Sequence, residues 1–377
     1  MKDATQATIH LDRLTRNLRR LEEIGGQRPL WPCIKANAYG HGLQIVAEHL
    51  VQQGVETLCV ANVAEGVALR EMGLEGPVVI LSASAVEACE SIVAYRLEPV
   101  VCSREMLEGL AREVDRQERT VSIHLKVDTG MGRVGLAPDE IPALATYANS
   151  WEGIRIRGLM SHFPLADEPQ SPFSRNQIEI FDRVCRATEG HAIEFRHMAN
   201  SAALFDWPES HYDALRPGIS IYGLQPSPGI ANPRVAELEP VLEWTTRITF
   251  LKEVPAGVGL SYGHTFRTER PSLIATFPAG YGDGLARSLS NRMQVLVGGE
   301  WCPQVGTITM DQTLVDVTAL RDRVNVGDEV VLVGQQGDEV ARVDRLAAAL
   351  GTINYEIVTG LSARVPRVAV GASSPAC

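Results

Sequence analysis

Short apolar runs alternate with amphipathic stretches through the first 220 residues, and this alternation constrains the fold more than any other feature. Eight of the runs are typical of β-strands and lie at residues 30–34, 57–61, 77–81, 98–102, 122–127, 154–160, 194–198 and 214–219. Ser103 before an acidic first turn predicts the start of one of the intervening helices. Strands that alternate with helices form a parallel sheet, and eight repeats favour an α/β fold closed into a (β/α)8 TIM barrel. An open, doubly wound sheet with fewer strands is the alternative.

Beyond about residue 240 the pattern changes to β-rich alternation with Gly-rich turns. Strands are predicted at residues 244–254, 273–277, 293–297, 304–309, 313–317 and 329–333, and one helix at 342–350 with Gly351 at its end. A Pro- and Gly-rich stretch at 225–240 links the two regions. We therefore predict a barrel domain over residues 1–236 and a mostly-β C-terminal domain over residues 237–377.

Composition narrows the class of protein. The 377 residues carry 35 Lys and Arg against 46 Asp and Glu, a net charge of −11, which argues against a nucleic-acid partner. The seven cysteines are scattered without a CxxC pair, and the nine histidines form no metal-ligand pattern, so a reducing cytoplasm and no metal are expected. Neither a signal peptide nor a membrane-spanning segment is predicted.

Polar residues collect where the predicted barrel strands end, which is where barrel enzymes build their active sites. Strand one runs into residues 34–42 (IKANAYGHG), strand five into 126–133 (KVDTGMGR), strands six and seven into His162 and Ser201, and strand eight contains Arg216. Lys35 among small and apolar neighbours suits a Schiff-base lysine, although a lysine that reaches to solvent from the barrel mouth is equally compatible.

Ser201 and the amides of Gly218 and Ile219 follow strands seven and eight, where barrels most often hold a phosphate. An ordinary Pro-Gly turn is the other interpretation of these residues. Taken together with a strand-end lysine, they suggest a phosphate-bearing aldehyde cofactor, pyridoxal 5′-phosphate (PLP).

Several motifs then occur in one order along nearly the whole chain. They are residues 34–42 (IKANAYGHG), 126–133 (KVDTGMGR), 216–219 (RPGI), 261–263 (SYG), 280–284 (GYGDG), 310–312 (MDQ) and 353–356 (INYE). On these motifs the chain resembles the alanine racemases. The resemblance implies a PLP-dependent enzyme that interconverts L-alanine and D-alanine, supplies D-alanine for the cell wall, and acts as a head-to-tail homodimer with shared active sites.

The resemblance also implies roles for individual residues. Lys35 would carry PLP and serve the D-face of the substrate, and Tyr262 of the partner subunit would serve the L-face. From the sequence alone, Tyr262 is better explained as an aromatic side chain that packs a turn. His162 and Arg216 would help Tyr262 to act as a base, since an ordinary tyrosine titrates near ~10.

The remaining site residues follow from the same resemblance. Arg216 would face the pyridine nitrogen, and the phosphate contacts would come from Tyr39, Ser201, Tyr355 and the Gly218 and Ile219 amides. Arg133 and the Met310 amide would bind the substrate carboxylate, and Tyr281 would line the opening of the site. Lys126 would carry a carbamate (N6-carboxylysine). Thr309 stands where the family often has cysteine.

Three other functions use the same features. A racemase of serine or another small amino acid would keep the fold and enlarge the pocket. A related PLP decarboxylase shares the architecture, but it would not need the Tyr262 motif. A non-catalytic PLP-binding barrel would keep the lysine, but it would not need a second domain that carries Tyr262, Tyr281 and Met310.

Overall fold

The computed structural model describes residues 4–371, and their contacts divide into two compact units. The barrel unit contains residues 13–38 and 43–239, and the β unit contains residues 4–12, 39–42 and 240–371. The predicted division after residue 236 stays a prediction. The first β-strand of the chain belongs to the β unit, although its position in the sequence suggested the barrel.

Residues 4–371 contain eighteen strands and eleven α-helices, numbered in chain order. The strands are β1 (Gln6–His10), β2 (Leu58–Val60), β3 (Val78–Ile80), β4 (Glu98–Val101), β5 (Val121–Lys126), β6 (Ile154–Met160), β7 (Phe195–His197), β8 (Leu242–Arg247), β9 (Phe250–Val254), β10 (Gly259–Leu260), β11 (Phe266–Arg267), β12 (Ser272–Phe277), β13 (Gln294–Val297), β14 (Glu300–Pro303), β15 (Thr313–Asp316), β16 (Glu329–Gln336), β17 (Glu339–Ala341) and β18 (Arg367–Val370). The helices are α1 (Leu11–Ile24), α2 (Lys35–Tyr39), α3 (Leu43–Gln52), α4 (Val63–Glu71), α5 (Cys89–Ala94), α6 (Arg104–Gln117), α7 (Ile141–Asn149), α8 (Phe173–Ala187), α9 (Ser201–Asp206), α10 (Val343–Leu350) and α11 (Asn354–Thr359).

In the barrel unit, β2 to β7 form a parallel sheet in sequence order. The first barrel segment forms parallel bridges to both neighbours, Leu30 with Leu215 of the eighth segment and Cys33 with Cys59 of β2. The eighth segment closes the ring, since the Arg216 N–H donates to the Ala199 carbonyl after β7 at 3.0 Å. Both segments stay shorter than predicted because Pro32 and Pro217 have no N–H to donate to a neighbouring strand. The predicted (β/α)8 TIM barrel is confirmed, as is the Ser103 cap, whose hydroxyl accepts the Met106 N–H at 3.2 Å.

Apolar side chains explain why the barrel helices pack as they do. In α1, Leu14, Leu18 and Leu21 recur at helical spacing and are fully buried, as is Phe181 of α8. Burying side chains of this size stabilises a fold by roughly 1.5–3 kcal/mol each. The apolar faces of these helices are therefore buried, and the strand ends are left to carry polar residues.

The β unit contains a sheet in the order β14-β13-β16-β8-β1-β18, with β17 paired to β16. A second sheet has the order β15-β12-β9, and β10 pairs with β11. The mostly-β architecture is confirmed. Fully buried Ile9, Trp244 and Phe277 form part of its core.

Three details of the predicted β domain are wrong. The segment 244–254 is two strands, β8 and β9, because they pair in different sheets. The strand expected at 304–309 is absent from the described residues, where Gly306 has a φ of +75° and only Gln304 keeps an isolated bridge. The edge strand is instead β14. A second helix, α11, follows the predicted helix, which ends at left-handed Gly351 as expected.

Candidate functional site

Lys35 begins α2, a single turn that winds in the left-handed sense. Residues 36–39 all have φ between 51° and 55°. A left-handed turn costs roughly 1–2 kcal/mol for each residue with a Cβ atom, so the surroundings must hold it in place. A strained turn of this kind fixes the direction in which the chain leaves the first barrel segment.

Two side chains hold this turn through the backbone. The Glu65 carboxylate accepts the N–H groups of Ala36 and Ala61, both at 2.7 Å, and so joins the ends of two neighbouring barrel strands. The Asn37 side-chain oxygen accepts the Leu43 N–H at 2.7 Å. These bonds keep Lys35 partly buried at the carboxyl end of the barrel. Within residues 4–371, its ammonium group has no hydrogen-bond or ion-pair partner.

Several cationic groups of the barrel unit lie close enough to influence one another. Lys126, the last residue of β5, is only 5% exposed. Burial, followed by the charges of Arg216 and Arg133, lowers its pKa to about 7. Burial and the charges of Arg216, Lys126, Arg133 and Lys35 together lower the pKa of His162 well below its ordinary value. Such a cluster attracts anions.

Arg216 lies at the centre of this cluster and is 3% exposed. Its Nη2 donates to the carbonyl oxygens of Ser161 at 2.8 Å and Met198 at 3.2 Å. The same nitrogen lies 3.4 Å from His162 Nδ1, and Nη1 lies 2.7 Å from His197 Nδ1. Because a guanidinium can only donate, both Nδ1 atoms accept. The structure therefore brings Arg216 and His162 together as neighbours.

A backbone cradle forms where the seventh and eighth barrel segments end. Ser201 Oγ accepts the N–H groups of Gly218 at 2.8 Å and Ser220 at 3.4 Å, and it lies 3.0 Å from the Ser220 hydroxyl. Ile219 is completely buried, and in the described part of the chain its N–H has no hydrogen-bond partner. An orphaned buried N–H beside a serine hydroxyl fits the oxygen of a phosphate group.

Arg133 lies on a glycine loop that Asp128 organises. The Asp128 carboxylate accepts the N–H of Gly130 at 2.9 Å and the N–H of Gly132 at 3.0 Å. Both glycines have positive φ, 135° and 68°, which a residue with a Cβ atom rarely adopts. The Arg133 side chain is exposed and, across residues 4–371, makes no hydrogen bond or ion pair. Its guanidinium is thus available to a ligand.

In the β unit, Tyr262 is 73% exposed, an unusual degree for an aromatic side chain. Its turn is rigid at the backbone, because the Thr307 hydroxyl donates to the Tyr262 carbonyl at 2.8 Å. The Ser261 hydroxyl donates to the Thr307 carbonyl at 2.6 Å. A rigid turn that presents an exposed tyrosine differs from the packing role that the sequence alone favoured.

Two further segments of the β unit lie side by side. Tyr281 and Gly282 donate their N–H groups to the carbonyls of Thr309 at 3.0 Å and Met310 at 2.9 Å. The side chains of Tyr281 and Met310 are 42% and 51% exposed. Among the described residues, the Thr309 hydroxyl bonds only to the backbone of Gln312. The structure thus brings Tyr281 and Met310 together on one exposed surface of this unit.

Tyr39 and Tyr355 also belong to the β unit. Their ring centroids lie 6.1 Å apart with an interplanar angle of 51°. Tyr39 is 7% exposed, and Tyr355 lies in α11. The two phenols predicted to contact a phosphate are therefore neighbours.

Two groups that support the site lie outside every motif found in the sequence. Glu65 holds the Lys35 turn, and His124 and His197 are completely buried inside the barrel, whereas the sequence motifs single out His162 alone among the histidines. A signal for the histidines was present, since each interrupts an apolar strand. No group of metal-ligating side chains occurs among the described residues. No helix in that part of the chain is long and apolar enough to cross a membrane.

Two family profiles cover most of the chain. The family described as alanine racemase, N-terminal domain, matches residues 9–226, and the alanine racemase C-terminal domain matches residues 241–369. Alanine racemase of Halothermothrix orenii is 44% identical over 366 residues, 96% of each chain. Alanine racemase of Symbiobacterium thermophilum is 42% identical over 365 residues, again 96% of each chain.

Solved structures give the same result. The alanine racemase of D-cycloserine-producing Streptomyces lavendulae superposes with a TM-score of 0.93 and 34% identity, over 99% of this chain and 98% of that one. The alanine racemase of Bacillus anthracis with bound L-Ala-P has a TM-score of 0.91 and 32% identity, over 99% and 97% of the two chains.

Proposed function

This chain belongs to the alanine racemase family, and we propose that it interconverts L-alanine and D-alanine with Lys35 and Tyr262 as the two bases. The observation that carries the proposal is the match of both family domains over nearly the full chain, since a barrel alone would supply only one base. D-alanine supply for the cell wall is the corresponding role, a general feature of the family.

The family cofactor is PLP, and the barrel unit fits it. The cationic cluster suits an anion, and the orphaned Ile219 N–H beside Ser201 suits a phosphate oxygen. We assign the phosphate contacts to Ser201, the Gly218 and Ile219 amides, Tyr39 and Tyr355, and the covalent attachment to Lys35. When bound, PLP supplies an electron sink that makes the Cα–H bond of an amino acid acidic.

Racemisation then needs one proton acceptor on each face of Cα. Lys35 Nζ takes or returns the proton on the D-face, and the hydroxyl of the partner subunit's Tyr262 does so on the L-face. The 73% exposure of Tyr262 supports a role toward a second copy of the chain, because an exposed phenol on a rigid turn is available to another molecule. We therefore propose a homodimer with shared active sites.

Arg216 has two roles in this proposal. A guanidinium donates hydrogen bonds but cannot accept a proton, so Arg216, if it faces the pyridine nitrogen of bound PLP, would leave that nitrogen unprotonated. The electron sink would then be moderate, which would limit side reactions such as transamination. Arg216 also sits 3.4 Å from His162, and together they supply the positive charge and hydrogen bonding that favour an ionised tyrosine.

Substrate binding falls to residues that are free to receive a ligand. Arg133 has an exposed guanidinium whose two-pronged geometry suits a carboxylate, and the Met310 amide of the partner subunit would add a second contact. Lys126 would carry a carbamate, an anion that orients Arg133. Tyr281 and Tyr355 would crowd the substrate side chain and favour the methyl group of alanine over larger groups.

A serine side activity follows from the same pocket, since shape alone excludes one added hydroxyl poorly. We place the enzyme in the cytoplasm, which the six free cysteines of the described chain support, because thiols stay reduced there. The last cysteine, Cys377, lies outside the described residues.

The test is racemisation of alanine, serine and other small amino acids by the native chain, by Lys35→Ala and by Tyr262→Phe, in solvent D2O. Native enzyme should exchange the Cα proton of both alanine enantiomers. Tyr262→Phe should lose exchange from L-alanine by about 100-fold or more while it still binds PLP. A non-catalytic PLP barrel would exchange neither enantiomer, and a serine racemase would prefer serine.

A further inference from the structure

We propose that Glu98, His124 and His197 form a one-way hydrogen-bond relay across the barrel interior that orients Arg216, which makes His197 a positioning residue for the reaction. The relay is visible in the structure by itself, and its effect on catalysis depends on the function proposed above. Neither histidine was assigned a role by the sequence interpretation.

The relay joins four barrel segments. Glu98 opens β4, His124 lies in β5, His197 ends β7, and Arg216 lies in the eighth segment. Glu98 Oε2 lies 3.0 Å from His124 Nε2, His124 Nδ1 lies 2.9 Å from His197 Nε2, and His197 Nδ1 lies 2.7 Å from Arg216 Nη1. All four residues are buried, and both histidines are completely so.

The chemistry of the two ends fixes every proton between them. Arg216 can only donate, so His197 Nδ1 accepts and the His197 proton must be on Nε2. That proton is donated to His124 Nδ1, so the His124 proton is also on Nε2. It is donated in turn to the Glu98 carboxylate. Both histidines are therefore neutral Nε2–H tautomers, and all three bonds point from Arg216 to Glu98.

The groups that face the relay support this assignment. Arg157 donates to Glu98 Oε2 at 2.6 Å, which favours the ionised carboxylate at the far end. Burial, then the charges of Arg216, His124, Lys126 and Arg157, lowers the pKa of His197 well below its ordinary value. Burial also lowers the pKa of His124, although Glu98 opposes the change. Neutral imidazoles are what the donor and acceptor pattern requires.

The barrel has a specific place for the histidine pair. A Cβ atom on Gly158 would lie 2.0 Å from His124 Nδ1 and 2.9 Å from His197 Nε2, the two atoms of the central bond. Any side chain at position 158 would thus push the rings apart. Trp31 packs against both rings, with centroid distances of 5.8 Å to His124 and 4.8 Å to His197. The absence of a side chain at Gly158 and the packing of Trp31 together keep the two imidazole rings within hydrogen-bond distance.

The consequence for catalysis acts through Arg216. With His197 as a fixed acceptor, one side of the guanidinium is anchored, and Nη2 stays directed to Ser161, Met198 and His162. Without it, Arg216 has a buried N–H to satisfy and can turn toward another acceptor. The position of the charge near the cofactor ring and near His162 would then be lost.

The first test measures the protonation states of the two histidines and does not depend on the racemisation reaction. The full chain is labelled with ¹⁵N-histidine, and its imidazole signals are recorded with and without PLP at pH 7–8. Two neutral histidines with the proton on Nε2 are expected, and His197→Leu should remove one set and shift the other. A protonated ring, or an Nδ1–H tautomer at either residue, overturns the proposal even if racemisation is normal.

The second test measures how the loss of the His197 acceptor changes the catalytic role of Arg216. His197→Leu should lower kcat for alanine by roughly 10- to 100-fold, with KM changed by no more than about 3-fold, and raise the ratio of transamination to racemisation. His197→Gln, which can accept and donate, should recover part of the loss. His211→Leu is the matched control, because His211 is also buried and its Nε2 bonds a backbone carbonyl, that of Leu204, at 3.0 Å.

The results distinguish a failure of the histidine relay from a failure of the proposed racemase function. Equal losses of kcat in His197→Leu and His211→Leu would mean a general loss of stability, and they would overturn the positioning role. A native enzyme that fails to racemise alanine would contradict the proposed function, whereas the NMR result would still decide whether the relay exists. Thermal unfolding of all variants, measured in parallel, identifies any that do not fold.

Discussion

Lys126 offers the most quantitative prediction, because its amine is poised to react with carbon dioxide. Its pKa is lowered from 10.5 to about 7 by burial and by Arg216 and Arg133. About half of such amines are unprotonated at pH 7, against about one in 2,500 for a lysine with a pKa near 10.4. The reactive fraction is thus larger by on the order of 1,000-fold. Addition of CO2 to the amine would release one proton and leave a carbamate anion.

The assay is ¹³C NMR of the native protein equilibrated with ¹³C-bicarbonate between pH 6 and 9. One protein-bound carbamate signal is expected, and it should decrease as the pH falls through about 7, where the amine becomes protonated. Lys126→Met is the matched control, since it keeps the length of the side chain without an amine, and it should lack the signal.

The same pKa predicts a slope of stability with pH in bicarbonate-free buffer. The folded state binds fewer protons than the unfolded state between about pH 7 and 10.5, so the free energy of unfolding should rise with pH across that window. Across the window the Lys126 contribution to the free energy of unfolding changes by about 5 kcal/mol. The pKa falls by about 3.5, from 10.5 to about 7, and each pKa unit corresponds to about 1.36 kcal/mol. Lys126→Met should lose this contribution, so the slope of the native protein should be the more positive of the two across the window. A native protein with neither the carbamate signal nor a slope more positive than that of Lys126→Met would refute the reasoning.

Three other variants test the site. Gly280→Ala should lower the unfolding free energy by about 3 kcal/mol or more in denaturant titration, because its Cβ would lie 2.2 Å from the Thr309 carbonyl; an unchanged midpoint would contradict this. Glu65→Gln should cost about 1–3 kcal/mol in the same titration, since one of the two N–H acceptors becomes a donor, and Glu65→Ala should cost no less. Arg216→Glu should slow racemisation and accelerate transamination by the PLP-loaded enzyme; faster racemisation in a coupled assay would be inconsistent with the role given to Arg216.

The barrel strands could be predicted from the sequence because each is a short apolar run between breakers. Residues 78–80 and 98–101 lie within the predicted runs, and the end of β5 at Lys126 differs by one residue. A parallel strand buried on both faces has this continuous apolar composition. The lengths of the first and eighth barrel segments were overestimated. Pro32 and Pro217 cannot donate a backbone hydrogen bond, and the apolar pattern does not show this loss.

The pairing of distant segments could not be predicted in this way. β1 alternates like any half-buried strand, but its neighbours β8 and β18 lie at the other end of the sequence. The Glu65 contacts and the histidine relay could not be predicted for a similar reason. The sequence does not indicate the partner of a single polar residue in an apolar strand. That partner lies on another strand or in the loop that follows a strand, and the two residues meet only in the folded barrel.

The place of β1 has a consequence for how this chain is made. Ile9 pairs with Leu242, so β1, once it has left the ribosome, waits for a partner about 230 residues later. At about 5–20 residues per second, that wait is on the order of 10–50 s. The barrel unit can form during this time, whereas β1 must remain unpaired. A nascent chain arrested near residue 240 should therefore protect the barrel from protease while residues 6–10 stay accessible.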